Sequence, residues 1–238
     1  MSITHLSVEP AILYLGTPVV LVSSTNEDGS SNLAPMSSAF WLGWRCMLGF
    51  EAVSKTPNNI IRTGQCVLNL PSIDQVQAIN RISMVTGSNP VPPGKTKRGY
   101  RHHADKFGIA GLTPVASETV TPPRVQECPI QLEGELIRVN PMMSEGYDYN
   151  QHERSAECTL EGIVALEVRI RRVHVAPDLL VKDRSNRIDP DRWKPIIMSF
   201  CRYYGVGSEL VVSKLAQIPE EQYRTPDIDR AKVEVITT

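Results

Sequence analysis

The sequence predicts a mainly β protein with helical insertions, an α+β fold in which a barrel carries the helices. Three observations predict it. Several apolar runs alternate with a period of two or are rich in β-branched residues, few helical stretches lie between them, and the strand–helix–strand alternation of a doubly wound sheet is absent. With 238 residues, 41% hydrophobic and 21% charged, the chain has the make-up of a globular protein with one large domain or two small ones, long enough to bury a sizeable core.

The first signal is "TPVVLVSSTNEDGSSNLAPMSSAF", an apolar run, a turn at Asp28-Gly29 and a second strand, which together read as a hairpin. From Ala34 onward, Ala34, Met36, Ser38, Phe40, Leu42 and Trp44 share one face, and Pro35, Ser37, Ala39, Trp41 and Gly43 share the other. The bulkier even face is expected in the core. The small odd face leaves room for a flat object, although an edge strand trimmed by Pro35 explains the pattern equally well. "RCMLGFE" sets Cys46, Leu48 and Phe50 on one side. Three antiparallel strands are thus expected before the first helix.

That helix is "SKTPNNIIRTGQ", about two turns long, with Thr56 as N-cap, Pro57 at the first helical position and Gly64 as its stop. "CVLNLPS" reads as a buried strand. Ser72 then caps a second helix, where Ile73, Val76, Ile79, Ile82 and Met84 fall near helical spacing. "TGSNPVPPGKTKRGYR" (86–101) is a long Pro/Gly-rich basic loop. "CPIQLEGELIRV" and "LEGIVALEVRIRRVHV" return to the sheet; "IDPDRWKPIIMSFCRYYGVG" follows, and a polar tail carries no assignment.

A net charge of -1 gives no general attraction to nucleic acid or membrane, so a small-molecule partner met by a local patch is expected. The early apolar run "AILYLGTPVVLV" is too short to span a bilayer. It follows Glu9 with no basic cluster, so a cytoplasmic location is the default expectation. Cys46, Cys66, Cys128, Cys158 and Cys201 are scattered without a C-x-x-C pair and are expected to be buried small hydrophobes.

"SKTPNNI" carries the most specific chemistry. A helix start with free N–H groups coincides there with Lys55, Thr56, Asn58 and Asn59, a combination suited to a phosphate. "PGKTK" is no P-loop, because Asn89 stands where the earlier glycine is required. His102, His103, His152 and His174 lack metal-ligand spacing, and no metal is expected. Neither a G-x-S-x-G elbow nor a G-x-G-x-x-G turn after a strand occurs.

"NLAPMSSAF", an apolar strand, "SKTPNNI" and "GQCVLNL", in this order and spacing, resemble the FMN-binding flavin reductase-like family. "DKFGIAGLTPVASETVTPPRVQECPIQLE" resembles the segment after that family's helical insertion, and "RRVHVAPDLL" its last barrel strand. The resemblance spans residues 10 to about 205 of a single domain, 1–238, with a C-terminal extension from about 206 to 238. It implies a split β-barrel, usually a homodimer, with FMN near the subunit interface. Asn32, Ala34, Pro35, Met36, Ser37 and Ser38 would line the ribityl chain and ring edge, and Ser54, Lys55, Thr56 and Asn59 would hold the phosphate. Tyr203 and Tyr204 would close the pocket. The basic loop, with Lys95, Lys97, Arg98, Arg101, His102 and His103, would steer the phosphates of NADH or NADPH or be a solvated surface.

The expected activity is NAD(P)H-dependent flavin reduction, in which hydride passes from nicotinamide C4 to flavin N5 with no obligatory side-chain acid or base. The reduced FMN would go to a partner oxygenase or pass electrons onward. An FMN-dependent oxygenase acting on an organic substrate, and a non-enzymatic flavin-binding module, stand as alternatives.

Overall fold

In a computed structural model, which describes residues 3–142, 162–182 and 184–233, the first apolar run divides at Pro18. Its halves join different sheets. β1 (Leu15–Pro18) pairs outside the barrel, whereas β2 (Val20–Thr25) enters it and makes the expected hairpin with β3 (Ser31–Met36). Gly29, at φ 84°, and the Asp28 carboxylate, which accepts the Ser30 N–H at 3.0 Å, hold that turn.

The second run divides as well, so five strands rather than three precede the first helix. β3 ends at Met36 and β4 (Ala39–Leu42) begins a new ladder against β5 (Arg45–Glu51). Between them the Ser37 carbonyl accepts from Ala39 N–H at 3.0 Å and the Ser38 carbonyl from Gly49 N–H at 2.8 Å. This step shifts the face pattern by one residue. In β4, Ala39 is buried and Trp41 packs against the core, while Phe40 and Leu42 are 57% and 75% exposed; the expected inward face is therefore reversed there. β5 keeps its predicted alternation, with Cys46, Leu48 and Phe50 inside.

α1 (Lys55–Thr63) leads through Gly64, at φ 73°, into β6 (Gln65–Leu70). Ser72 caps a 3-10 turn in a reciprocal capping box with Gln75, and α2 (Val76–Ile82) follows. Ile79 and Ile82 are fully buried; Ile73 and Met84, placed with them by spacing, are 39% and 46% exposed. The expected loop at 86–101 is more ordered than its composition implies. It contains β7 (Val85–Thr86), the one-turn α3 (Pro93–Lys97) with proline at its start, and β8 (Arg101–His102), parallel to β7. α4 (Lys106–Ala110) is capped by the Asp105 carboxylate, which accepts Gly108 N–H at 2.8 Å.

The short β9 (Pro114–Val115) and β10 (Arg124–Val125) pair with each other before β11 (Ile130–Met142) and β12 (Ile163–Val175). The main sheet runs β3-β2-β6-β11-β12-β5-β4, so its two edges are consecutive in the chain. β13 (Leu180–Val181) and β14 (Arg184–Ile188) form a small hairpin, and β15 (Ile196–Ser199) and β16 (Arg202–Gly205) join β1. Two cores result. Val20, Val22, Leu48, Leu68 and Leu166 fill the barrel, while Val19, Leu21 and Leu33 look the other way onto α2 and α4. A strand apolar on both faces is what this arrangement demands of β2.

The polar tail holds a further helix, α5 (Pro226–Val233), packed on β12. Arg45 Nε meets Asp227 Oδ2 at 2.7 Å, and Thr225 closes over Gly43, where an added Cβ would stand 2.6 Å from Thr225 Cγ2. Cys46, Cys66 and Cys128 are buried as expected, and burial pushes the Cys46 thiol up to about 12. Cys201 departs from that expectation: it is exposed at the β15–β16 turn, at φ 62°. Cys158 and His152 lie outside the described residues.

Candidate functional site

The site is built around the start of α1. Ser54, in an extended conformation, is the N-cap, in place of the predicted Thr56, and Pro57 is the third helical residue. The Ser54 hydroxyl makes no capping bond; it accepts instead from Lys95 Nζ at 2.8 Å. The first-turn N–H groups therefore have no side-chain cap, and they carry the positive end of the helix dipole.

Beneath this turn lies a buried polar network. Asn32 Nδ2 donates to Ser24 Oγ and Thr56 Oγ1, each at 3.0 Å. Asn59 Nδ2 donates to Ser24 Oγ at 3.1 Å and Asn26 Oδ1 at 2.9 Å. The Oδ1 atoms of Asn32 and Asn59 are buried without a hydrogen-bond partner. Gly87 passes close by: a Cβ there would stand 2.8 Å from Asn32 Oδ1 and 3.2 Å from Lys55 Cγ. Only a glycine backbone fits so close an approach.

Two lysines, Lys55 and Lys95, border the turn, and a third, Lys106, heads α4. Lys55 Nζ is held by Glu27 at 2.5 Å, and this bond keeps the Glu27 carboxyl below its usual range. Lys95 and Lys106 are both buried, and neither forms an ion pair with a carboxylate among the described residues. Burial lowers the Lys95 ammonium, with Glu51 acting in the opposite sense, and burial together with the Lys95 charge brings Lys106 down to about 7. Arg98 binds Glu51 at 2.5 Å, and Lys95 and Arg98 both approach the Tyr100 ring, at 5.5 and 5.7 Å. A cationic side chain, a glycine approach and uncapped N–H groups meet here, the chemistry suited to an anion.

Of the residues predicted from sequence, Asn32, Ser54, Lys55, Thr56 and Asn59 come together here. Ala34, Pro35, Met36 and Ser37 continue from Asn32 as a half-buried strip, and Ser38 is exposed. Arg98 stands beside Lys95 through Tyr100, whereas Arg101 and His102 are exposed on β8. Tyr203 and Tyr204 are not brought to α1. The Tyr203 hydroxyl bonds Ser83 Oγ at 2.7 Å over the second core, and Tyr204 is 49% exposed. Sequence reasoning missed Ser24 and Gly87 and gave Lys95 to dinucleotide steering or a solvated surface. The serine pair closing "VVLVSS" was a signal of a polar patch in a buried strand, and the lysine of "DKFGIAGL" heads a helix with Phe107 and Ala110 in the core.

A second buried charge lies elsewhere. Glu133, on β11, is fully buried and accepts from Glu118 N–H at 2.8 Å, from Thr119 N–H and Thr119 Oγ1 at 2.6 Å each, and bonds His174 Nε2 at 2.7 Å. Burial raises this carboxyl, but the His174, Thr119 and backbone bonds outweigh it and hold it at about 2. Among the described residues no group of three or more His, Cys, Asp or Glu is placed to hold a metal ion. No described helix is long and apolar enough to cross a membrane.

A seven-stranded barrel sheet with consecutive edges, with a first helix whose start is uncapped, defines a split-barrel protein. The flavin reductase like domain matches residues 12–183, and the chain belongs to that family. It is 34% identical over 203 residues to the uncharacterized protein YdfE of Bacillus subtilis (strain 168), covering 85% of this chain and 90% of the relative. Among solved structures it resembles nitrilotriacetate monooxygenase component B from Bacillus cereus, with TM-score 0.65 and 25% identity over 89% of this chain and all of the other. It also shares its fold with flavoredoxin of Desulfovibrio vulgaris (Miyazaki F), with TM-score 0.67 and 22% identity over 90% of this chain and all of that one.

Proposed function

We propose that the protein is an FMN-binding NAD(P)H-dependent flavin reductase, and the observation that carries this is the cationic cradle at the start of α1 in a chain of the flavin reductase like family. The residues fit a flavin phosphate: the uncapped first turn and the Ser54 hydroxyl supply donors, Lys95 supplies charge and Gly87 supplies space, while the orphaned Asn32 Oδ1 is an acceptor suited to a ribityl hydroxyl. When bound, FMN supplies a two-electron acceptor for nicotinamide hydride. The chain's own part is to orient and exclude water. Ala34 to Ser38 offer small, half-buried side chains and backbone groups along the ribityl chain and ring edge, and Arg98, Arg101 and His102 face the incoming dinucleotide. Thr56 and Asn59 act from below, fixing Asn32 and the helix rather than touching the ligand. Tyr203 and Tyr204 are kept as substrate contacts only if a second copy or substrate approaches the β15–β16 hairpin.

The similarity to a monooxygenase component B supports transfer of reduced FMN to a partner oxygenase. Exposed Phe40 and Leu42 on the edge strand β4 support a homodimer, since apolar edges are ordinarily covered. The family match over residues 12–183 supports a single domain, and the C-terminal extension from about 206 to 238 and a cytoplasmic setting belong to the same proposal.

The test is visible spectroscopy of the purified protein with added FMN, followed by NADH or NADPH without oxygen. Rapid bleaching is expected. A bound flavin that neither nicotinamide reduces overturns the reductase and favours a flavin-binding module; bleaching followed by turnover of an organic substrate without a second protein favours the oxygenase.

A further inference from the structure

Two segments of the chain lie almost wholly in water. Every residue from 3 to 16, and every residue from 206 to 224, is exposed. Of the 25 large hydrophobic side chains exposed among the described residues, 14 stand on these two arms, so the exposure is concentrated rather than scattered. Leu210 is 99% exposed and Val211 79%, and Val212 and Leu215 follow. Charge is sparse in the same places. Between Val206 and Pro219 only Glu209 and Lys214 are ionisable, and Glu9 is the one carboxylate before Leu15.

Both arms are tied to the fold. The first runs into β1, where the Tyr14 carbonyl accepts Phe200 N–H at 2.8 Å. The second is a strap anchored at both ends, by β16 before it and by α5 after it, where Asp227 meets Arg45. In between, Ser213 Oγ accepts Leu215 N–H at 3.2 Å at the head of a 3-10 turn, and Glu220 pairs with Arg187 at 3.0 Å. A strap with a built shape that turns its leucines and valines to water is shaped for a surface that one copy does not offer it.

The chain itself carries a surface of that chemistry. β1 and β16 flank β15 in one small sheet, β1 runs beside the edge strand β4, and this corner exposes Leu15, Phe40, Leu42 and Phe200. At roughly 80 Å² each, the side chains of the arms offer on the order of 1,000 Å², against about 800 Å² that each partner buries in a stable dimer. Two-fold symmetry makes any contact between strap and corner occur twice.

We propose that the middle of the strap, residues 206–218, packs on the corner formed by β1, β4 and the β15–β16 turn of a second copy of this chain, so that the dimer is clasped by two straps. The clasp rests on the homodimer of the reading above and adds a separate claim: the strap makes its contact between copies, and Leu210, Val212 and Leu215 carry it.

Sedimentation velocity of the full chain over a dilution series reads the assembly. Wild type should be a dimer at micromolar concentration. The double variant Leu210→Asp, Val212→Asp puts two charges into the contact and should raise the dimer Kd about a hundredfold or more. Its circular dichroism should match that of wild type, because neither side chain is packed within its own copy. Photo-crosslinking from Leu210→benzoylphenylalanine, in a mixture of light and heavy-isotope copies, shows which copy the strap touches. Adducts should join a light chain to a heavy one at β1, β4 or the β15–β16 turn. Adducts confined within one chain, or a double variant that dimerises as wild type does, would overturn the clasp while the homodimer stands. A wild type that sediments as a monomer and gives no adduct between copies removes the homodimer, and the clasp with it.

Discussion

Glu133 and the Lys95–Lys106 pair are both charged groups taken out of water, and the chain treats them oppositely. Around Glu133, two N–H groups, a hydroxyl and an imidazole converge on two oxygens. Around the lysines, the Ser54 hydroxyl answers Lys95, and Lys106 forms no ion pair with a carboxylate among the described residues. A buried charge with all its partners belongs to the fold; one left short of partners at a helix start marks a place for something that arrives from outside.

The largest expected effect breaks the satisfied side. Glu133→Ala strands four donors and should cost about 3 to 5 kcal/mol of stability, read as the loss of unfolding free energy in denaturant titration. A loss below about 1 kcal/mol would mean that water replaces the carboxylate easily. Next comes Lys95→Met, which removes a charge-assisted contact worth about 1.5 to 3 kcal/mol and should weaken FMN binding by roughly 10 to 150 fold while leaving riboflavin unchanged. Equal losses for both flavins would place Lys95 away from the phosphate.

The pH dependence of stability separates the two regions without mutation. Glu133, held at about 2 against an ordinary 4.5, contributes stability that is complete above 4.5 and lost as pH falls toward 2. Lys106 runs on its own window. Its folded value, about 7, lies below the unfolded 10.5, so the penalty is full below 7 and lifts as pH rises from 7 to 10.5. The protein should gain stability in two separate ramps. A single acid ramp would mean that the Lys106 ammonium carries no burial penalty. The smallest effect is expected at Lys55, whose amine is engaged by Glu27 on the surface: Lys55→Ala should change FMN affinity less than fivefold, consistent with an exposed pair worth about 1 kcal/mol or less.

The sequence carried the barrel because alternation, β-branched runs and turn residues are local signals. β5 alternated as read, Asp28-Gly29 turned, and Gly64 stopped α1. Where local pattern failed, a non-local bond decided. Ser38 pairs with Gly49 across the sheet, which a count along the chain from Ala34 to Trp44 does not contain, so Phe40 and Leu42 face outward. The site divides in the same manner. Helix-start chemistry marked residues 54–59, but a buried charge came from Lys95, about 40 positions onward, whose burial depends on how the segment 86–101 folds back. Lys55, adjacent in sequence, was the natural candidate; Glu27, 28 positions earlier, claims it.

The contact between Arg45 and Asp227 spans 182 positions, and this sets an order of events during synthesis. Every strand of the barrel sheet has left the ribosome before α5 exists, so the barrel is free to complete itself while Arg45 has only Glu167 as a partner. The docking of α5 is then a late, reversible addition of high contact order rather than a step on which the barrel waits. A protein stopped short of residue 225 should fold with its barrel intact and with a newly uncovered acidic and basic surface along β5 and β12, whereas one stopped within β12 should not fold at all.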